Sequence, residues 1–199
     1  MYVKYNTAPL NVMFFSQTGT ECLDLIRELN LNPLLITNMR PENVRTINQE
    51  LLETYPILYL QNNPTVHSYE DVFEFIGSTP IESITLHGWL RIVPEEICSK
   101  YQIFNGHPAY LVKYPELKGK DQQEVPLNRQ REYPIIGSVI HKVDPIVDNG
   151  MIISGCYTNN TAQSLDEIYG ILKQCSYKTW VHFFTNLREG YVKESFFKL

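Results

Sequence analysis

Three polar residues in two short segments carry most of the chemistry open to this chain: Asn105 and His107 in Asn105-Gly106-His107-Pro108, and Asp148 in Asp148-Asn149-Gly150. A carboxamide can donate N–H to an oxygen that is gaining negative charge. An imidazole can move a proton near neutral pH, and a carboxylate can orient that imidazole or raise its basicity. Singly, each has a plainer reading: a turn asparagine, a satisfied core histidine, a turn-forming aspartate. In one crevice they would serve a reaction that builds charge on oxygen and relays a proton. None of the four cysteines lies in these segments, so no covalent nucleophile is implied.

The elements that must position them follow from the hydrophobic pattern. Short apolar or β-branched runs at 10–15, 34–37, 57–60, 84–89, 101–104, 135–143 and 151–157 read as strands. Between them, helical patterns open at Glu21, span 41–55 with Pro41 in the first turn, span 68–76 with Ser68 as cap, and start near Pro94; a long covering helix spans 162–184. This alternation predicts an α/β fold, Rossmann-like, with a mostly parallel sheet and helices on both faces. Asn105 and His107 would stand at the carboxyl end of a strand, where such sheets place ligands, and Asp148 just past the next strand. The segment 110–126 carries few strand or helix signals and several lysines and acids, and reads as a solvated or functional loop. Ser16-Gln17-Thr18-Gly19-Thr20, between a strand and a helix, reads either as an anion cradle or as a helix start capped by Thr18 or Thr20. His67, His87 and His182 have no partner motif and read as structural or solvated.

Composition narrows the class. A chain of 199 residues with 43% hydrophobic and 20% charged residues can bury one core, so 1–199 is expected to be a single domain. A net charge of -5 gives no general attraction to nucleic acid or to an anionic membrane. The cysteines Cys22, Cys98, Cys156 and Cys175 are widely spaced and read as four buried reduced thiols rather than a zinc or redox motif; no metal ligand set is evident. With no signal-like or membrane-length apolar run, a cytoplasmic location is expected.

The motifs carry a family resemblance. Phe104-Asn105-Gly106-His107-Pro108, then Lys113-Tyr114-Pro115-Glu116-Leu117-Lys118-Gly119, then His141-Lys142-Val143-Asp144 running to Asp148-Asn149-Gly150 resemble the folate-dependent formyltransferase family, with its N-x-H-P and D-x-x-x-D-x-G patterns in order. The resemblance implies a formyltransferase fold and an enzyme that uses 10-formyltetrahydrofolate as co-substrate. Asn105, His107 and Asp148 would be the catalytic residues. The expected reaction is N-formyl transfer to a small-molecule primary amine, with glycinamide ribonucleotide of purine biosynthesis as first candidate. An amino sugar or other small amine, or water as in 10-formyltetrahydrofolate hydrolases, are alternatives. A non-catalytic folate-binding module is the alternative of a different class. The family hydrolases carry a further regulatory domain and the methionyl-tRNA enzymes a second domain, neither of which is expected in this chain. Neither the acceptor nor the oligomeric state follows from the sequence.

The resemblance also distributes binding roles. Gly88, Trp89, Leu90, Arg91, Ile92 and Val93 match the stretch that lines the folate pterin pocket, and Val139, His141, Val143, Asp144 and Val147 match its aspartate-loop side. Thr18, Gly19, Thr20, Lys113 and Lys118 fall on the acceptor side. This chain departs from the family there: the S-G-S-G-T-N-like turn of members with phosphorylated acceptors becomes Ser16-Gln17-Thr18-Gly19-Thr20-Glu21. Lys173 or Gln174 stands where glycinamide ribonucleotide enzymes bring a carboxylate to the acceptor.

Overall fold

Apolar runs buried on both faces fix the first half of the chain. In the computed structural model, which describes residues 8–39, 46–119, 122–190 and 194–199, the chain divides into two compact units, 1–103 and 104–199. The first unit carries β1 (Leu10–Phe15), β2 (Pro33–Thr37), β3 (Ile57–Tyr59) and β4 (Ile81–His87). They pair in the order β3-β2-β1-β4, every pairing parallel. Val12, Met13, Phe14 and Phe15 are all at most 1% exposed, as a central parallel strand covered on both faces requires. Its one buried amide, Asn11, is satisfied by the Ser83 hydroxyl at 2.8 Å.

The unit also carries helices α1 (Thr20–Leu29), α2 (Gln49–Thr54), α3 (Val66–Ile76) and α4 (Glu95–Lys100). Three of their starts differ from expectation. Helix α1 has Gly19 at its N-cap in the left-handed region, and Thr18, one residue before it, accepts from the Thr20 amide at 3.3 Å. Helix α2 begins at Gln49, where the Asn48 side chain accepts from the Glu50 and Leu51 amides; Pro41 lies outside the described residues. Helix α3 begins two residues earlier than Ser68, because Thr65 caps it and Ser68 returns a bond to the Thr65 amide at 3.1 Å.

The second unit carries β5 (Phe104–His107), β6 (Ile135–Lys142), β7 (Ile152–Asn159) and β8 (Ser195–Lys198), paired in that order. Here β5, β6 and β7 run antiparallel to one another and only β7 and β8 are parallel. The short aspartate loop between β6 and β7 leaves no length for a crossover, so the two must form a hairpin. The fold is α/β with mostly parallel strand pairing, as the pattern predicts.

Helix α6 (Leu165–Arg188) packs on β5, β6 and β7, and starts where Ser164 accepts from the Glu167 amide at 3.2 Å. Its Trp180 is fully buried against Gly106, where an added Cβ would lie 2.8 Å from the indole nitrogen. That contact explains the glycine between Asn105 and His107. Segment 110–126 is only partly solvated: Val112, Lys113 and Glu116 are exposed, while Tyr110, Leu111, Tyr114 and Leu117 are buried in one cluster with Tyr133 and Val139. A 3-10 turn (Pro115–Leu117) and the short helix α5 (Glu124–Asn128) shape it, while Lys120 and Asp121 lie outside the described residues. All four cysteines are buried and unbridged. Among the described residues no helix is long and apolar enough to cross a membrane.

Candidate active site

Residues two apart on a strand share a face, so Asn105 and His107 project from the same side of β5. The antiparallel register sets Asn105 opposite His141 and His107 opposite Val139. Asn105 Nδ2 lies 3.2 Å from His141 Nε2, whose other ring nitrogen donates to the Lys142 carbonyl at 3.0 Å. Asp148 reaches both histidines, with Oδ2 3.2 Å from His107 Nδ1 and Oδ1 3.4 Å from His141 Nε2. The three residues singled out by sequence therefore meet within the second unit. His107 and Asp148 do so directly, and Asn105 through His141, which the family resemblance assigns to the cofactor.

The aspartate loop is built to hold that carboxylate. Asp144 Oδ1 accepts from the Ile146 amide at 2.8 Å, and the Asn149 amide closes a turn onto the Ile146 carbonyl at 3.1 Å. Asp148 sits in the left-handed region at φ 51°, which aspartate and asparagine tolerate better than most side chains. The segment after the 3-10 turn clasps the site from the other side. Leu117 O lies 3.0 Å from His107 Nε2, the Gly119 amide donates to Asp148 Oδ2 at 2.9 Å, and Lys118 Nζ donates to Asn149 Oδ1 at 2.7 Å. Leu117 and Gly119 act through main-chain groups, so no side-chain signal in the sequence could have marked them.

These contacts settle the proton positions. A carbonyl only accepts, so His107 Nε2 carries hydrogen, and Nδ1 is the position free to exchange a proton beside Asp148. Burial dominates the His107 pKa and lowers it; Asp148 and the Leu117 carbonyl pull it back up, and His141 lowers it further. Because both nitrogens face acceptors, the doubly protonated ring satisfies both, while burial makes the Nδ1 proton easy to surrender. Burial would raise the Asp148 carboxyl, but the hydrogen bond from His141, the His107 charge and the Gly119 amide together hold it below the ordinary range.

Both shifts give the same sign of pH dependence. The folded pKa of His107 lies below the ordinary value of about 6.5, so on acidification the unfolded chain takes up this proton first. The stability contributed by His107 is present above about pH 6.5 and lost as pH falls through the folded pKa. Asp148 loses its contribution only at lower pH, below about 3.9. Melting temperatures should therefore fall between pH 7 and pH 5, and His107→Gln should remove part of that slope. A His107→Gln curve parallel to wild type over this range would show that the residue does not titrate as described.

The remaining site candidates are distributed between the units. In the first, Gly88 follows β4 at φ 61°; Trp89 is buried against Phe14 and Tyr69, and its indole N–H donates to the Tyr69 hydroxyl at 3.0 Å. Val93 is buried as well, so Leu90 (39% exposed) and Ile92 (70% exposed) are the apolar side chains this stretch presents outward. Arg91 is taken up locally by the Asn62 side chain at 2.7 Å and the Leu90 carbonyl at 2.7 Å. In the second unit Val139 is fully buried, Asp144 orders its own loop, Val143 is half-buried and Val147 is 53% exposed.

The acceptor-side candidates are less gathered. Thr18 and Thr20 bond each other at 3.0 Å beside Gly19. Glu21 turns its carboxylate to the buried His87 at 2.9 Å, and that ring's other nitrogen meets the Thr85 hydroxyl at 3.0 Å. Lys113 lies over the Tyr114 ring at 5.4 Å and Lys118 is engaged by Asn149. Of the other histidines, His67 is an exposed neighbour of Asp71, and His182 bonds Ser195 at 2.6 Å.

No protein-family model matches the sequence, and no curated protein does. Solved structures do: the chain has the fold of the folate-dependent formyltransferases and formyltetrahydrofolate deformylases. The phosphoribosylglycinamide formyltransferase of Anaplasma phagocytophilum is similar with a TM-score of 0.78 and 16% identity, over 96% of this chain and 100% of that one. The phosphoribosylglycinamide formyltransferase of Streptococcus pneumoniae TIGR4 gives 0.69 at 22% identity, over 89% and 98%. A formyltetrahydrofolate deformylase of Pseudomonas syringae pv. tomato gives 0.70 at 16% identity, over 91% of this chain but 62% of that one. At these identities the likeness is one of fold.

Proposed function

We propose that the protein is an enzyme that transfers a formyl group from 10-formyltetrahydrofolate to a primary amine. The observation that carries this reading is the hydrogen-bonded cluster of Asn105, His141, Asp148 and His107 on a fold shared with formyltransferases. An amine attacking the formyl carbon makes a tetrahedral centre with negative charge on oxygen. The Asn105 amide can donate to that oxygen, worth roughly two to three orders of magnitude for one well-placed donor. The attacking nitrogen must lose a proton and the departing N10 of the folate must gain one. His107 Nδ1, with its lowered pKa and Asp148 beside it, can carry that proton. Asp148 stays ionised and keeps the charged imidazole favourable.

In this reading the folate-side residues are Gly88, Trp89, Leu90, Arg91, Ile92 and Val93 with Val139, His141, Val143, Asp144 and Val147, where Trp89, Val93 and Val139 would contribute shape and main chain rather than exposed side chains. Glycinamide ribonucleotide heads the acceptors to assay because the solved structures with this fold carry it in their names, which would place the protein in purine biosynthesis in the cytoplasm. An amino sugar or other small amine stands beside it, because Glu21 falls in the turn where family members with phosphorylated acceptors differ, and Lys173 or Gln174 stands where glycinamide ribonucleotide enzymes bring a carboxylate to the acceptor. The test is tetrahydrofolate release from 10-formyltetrahydrofolate with and without an amine panel. Amine-dependent release supports transfer, amine-independent release supports the deformylase reaction named for two neighbours, and folate binding without release leaves a binding module.

A further inference from the structure

Strand β6 brings to the site a histidine whose two ring nitrogens are both engaged. His141 stands opposite Asn105 in the β5–β6 pairing, and the pairing of β6 with β7 shifts register between Ile140 and His141. An irregularity of that kind re-aims a side chain. The residue is 2% exposed. Its Nδ1 lies 3.0 Å from the Lys142 carbonyl, which only accepts, so Nδ1 carries hydrogen. Nε2 is then the nitrogen that is bare in the neutral ring and gains the proton in the charged one.

Two neighbours make opposite demands on Nε2. Asn105 Nδ2, a donor, lies 3.2 Å away, and Asp148 Oδ1, an acceptor, lies 3.4 Å away. A bare Nε2 accepts from the carboxamide and offers Asp148 nothing. A protonated Nε2 donates to Asp148 and confronts the Asn105 amide nitrogen with a second donor, so the carboxamide must turn. Among the described residues no other hydrogen bond holds that carboxamide. A buried ring with both nitrogens spent inside the protein also has none left to offer a cofactor.

We propose that His141 is a positioning residue: neutral, with its hydrogen on Nδ1, it holds the Asn105 carboxamide nitrogen-inward and leaves the second N–H of that nitrogen for the formyl oxygen. This rests on the formyl-transfer reading and gives His141 a part in it that is exerted through Asn105. Proton uptake at Nε2 passes the ring to Asp148 and releases the carboxamide. The titratable groups that face the ring are Asp148 from the aspartate loop and His107 from β5, while β7 sets Ile152 opposite it.

One arm of the test needs no turnover. In protein carrying ¹⁵N-labelled histidine at mildly alkaline pH, His141, assigned by its loss in His141→Gln, should show a protonated Nδ1 and a bare Nε2. Asn105→Ala should move the Nε2 resonance, and on acidification the Asn105 side-chain amide signals should shift with the same midpoint as His141 Nε2. The other arm is kinetic. His141→Ala should lower kcat about ten- to a hundredfold, part of the effect of one oxyanion donor, with KM for 10-formyltetrahydrofolate changed less than about threefold. His141→Gln, which offers an oxygen acceptor near the place of Nε2, should recover much of that loss. In an Asn105→Ala background the loss of His141 should cost little more, because the two act as a unit. Circular dichroism and melting confirm that the variants fold, and the wild-type resonances need no variant beyond the assignment. A neutral ring with hydrogen on Nε2, an Nε2 resonance unmoved by Asn105→Ala, or a His141→Ala that raises the folate KM with kcat intact overturns the proposal while leaving formyl transfer standing. Absence of wild-type turnover with every amine removes the formyl-transfer reading and the catalytic part of this one with it.

Discussion

Asp148→Asn is expected to lower turnover by about two to four orders of magnitude with little change in melting temperature, a loss in the range of combined proton-transfer and electrostatic terms. Asparagine is close to isosteric, tolerates the left-handed φ of 51° at this position, and retains an oxygen to accept the Gly119 amide. It removes the negative charge that faces His107 Nδ1 at 3.2 Å and His141 Nε2 at 3.4 Å. If the carboxylate were only a turn former, the substitution would be nearly silent. His107→Ala should cost a comparable factor, and the double variant should be little worse than either single one, because the pair acts as a unit. Near-wild-type turnover in Asp148→Asn would take the residue out of the mechanism.

Gly150→Ala should be the most disruptive single methyl in the chain. A Cβ on Gly150 would lie 1.7 Å from the Lys142 carbonyl oxygen and 2.8 Å from its carbon, both main chain, so no side-chain rotation relieves it. The return of the aspartate loop onto β6, where the Lys142 amide donates to the Met151 carbonyl at 2.9 Å, would have to open. A destabilisation of about 3 kcal/mol or more is expected, at or above the upper end for overpacking, with loss of activity because Asp148 lies two residues away. Gly170→Ala is the natural comparison. Nothing lies within 4 Å of a Cβ at Gly170, and it is in α6, where alanine is favoured by about 1 kcal/mol. Thermal melts that rank Gly150→Ala level with Gly170→Ala would contradict the described loop geometry.

How much of this was legible in the sequence depends on the kind of signal. Strand β1 is readable to the residue because both its faces are buried and only Asn11 interrupts the apolar run. Strand β5 is not, since the β-branched and aromatic stretch from Tyr101 suggests an earlier start. Tyr101 instead ends α4, its amide bonded to the Ile97 carbonyl at 2.9 Å, and the strand is the polar segment Phe104–His107 itself. Segment 110–126 misleads through its lysines. Its tyrosines and leucines are what pack, and their spacing at Tyr110, Leu111, Tyr114 and Leu117 was the available clue. Strand β8, four residues with alternating exposure near the chain's end, is too short for a period-two signal. Asn105, His107 and Asp148 were legible as a set from residue type and motif order. The part of His141 was not, because it depends on the antiparallel register that sets it opposite Asn105, and no local pattern encodes register across a gap of that length.

Movement of a formyl group from folate to an amine at this site can be followed by its carbon. The most direct measurement supplies 10-formyltetrahydrofolate labelled with ¹³C in the formyl carbon, an amine panel that includes glycinamide ribonucleotide and unphosphorylated amines, and either wild-type or Asp148→Asn protein. A ¹³C formamide resonance is expected on one amine, growing in step with tetrahydrofolate release in the wild type and at roughly one hundredth of that rate or less in the variant. Label that remains on the folate with every amine, or that leaves only as formate at a rate no amine alters, would contradict it.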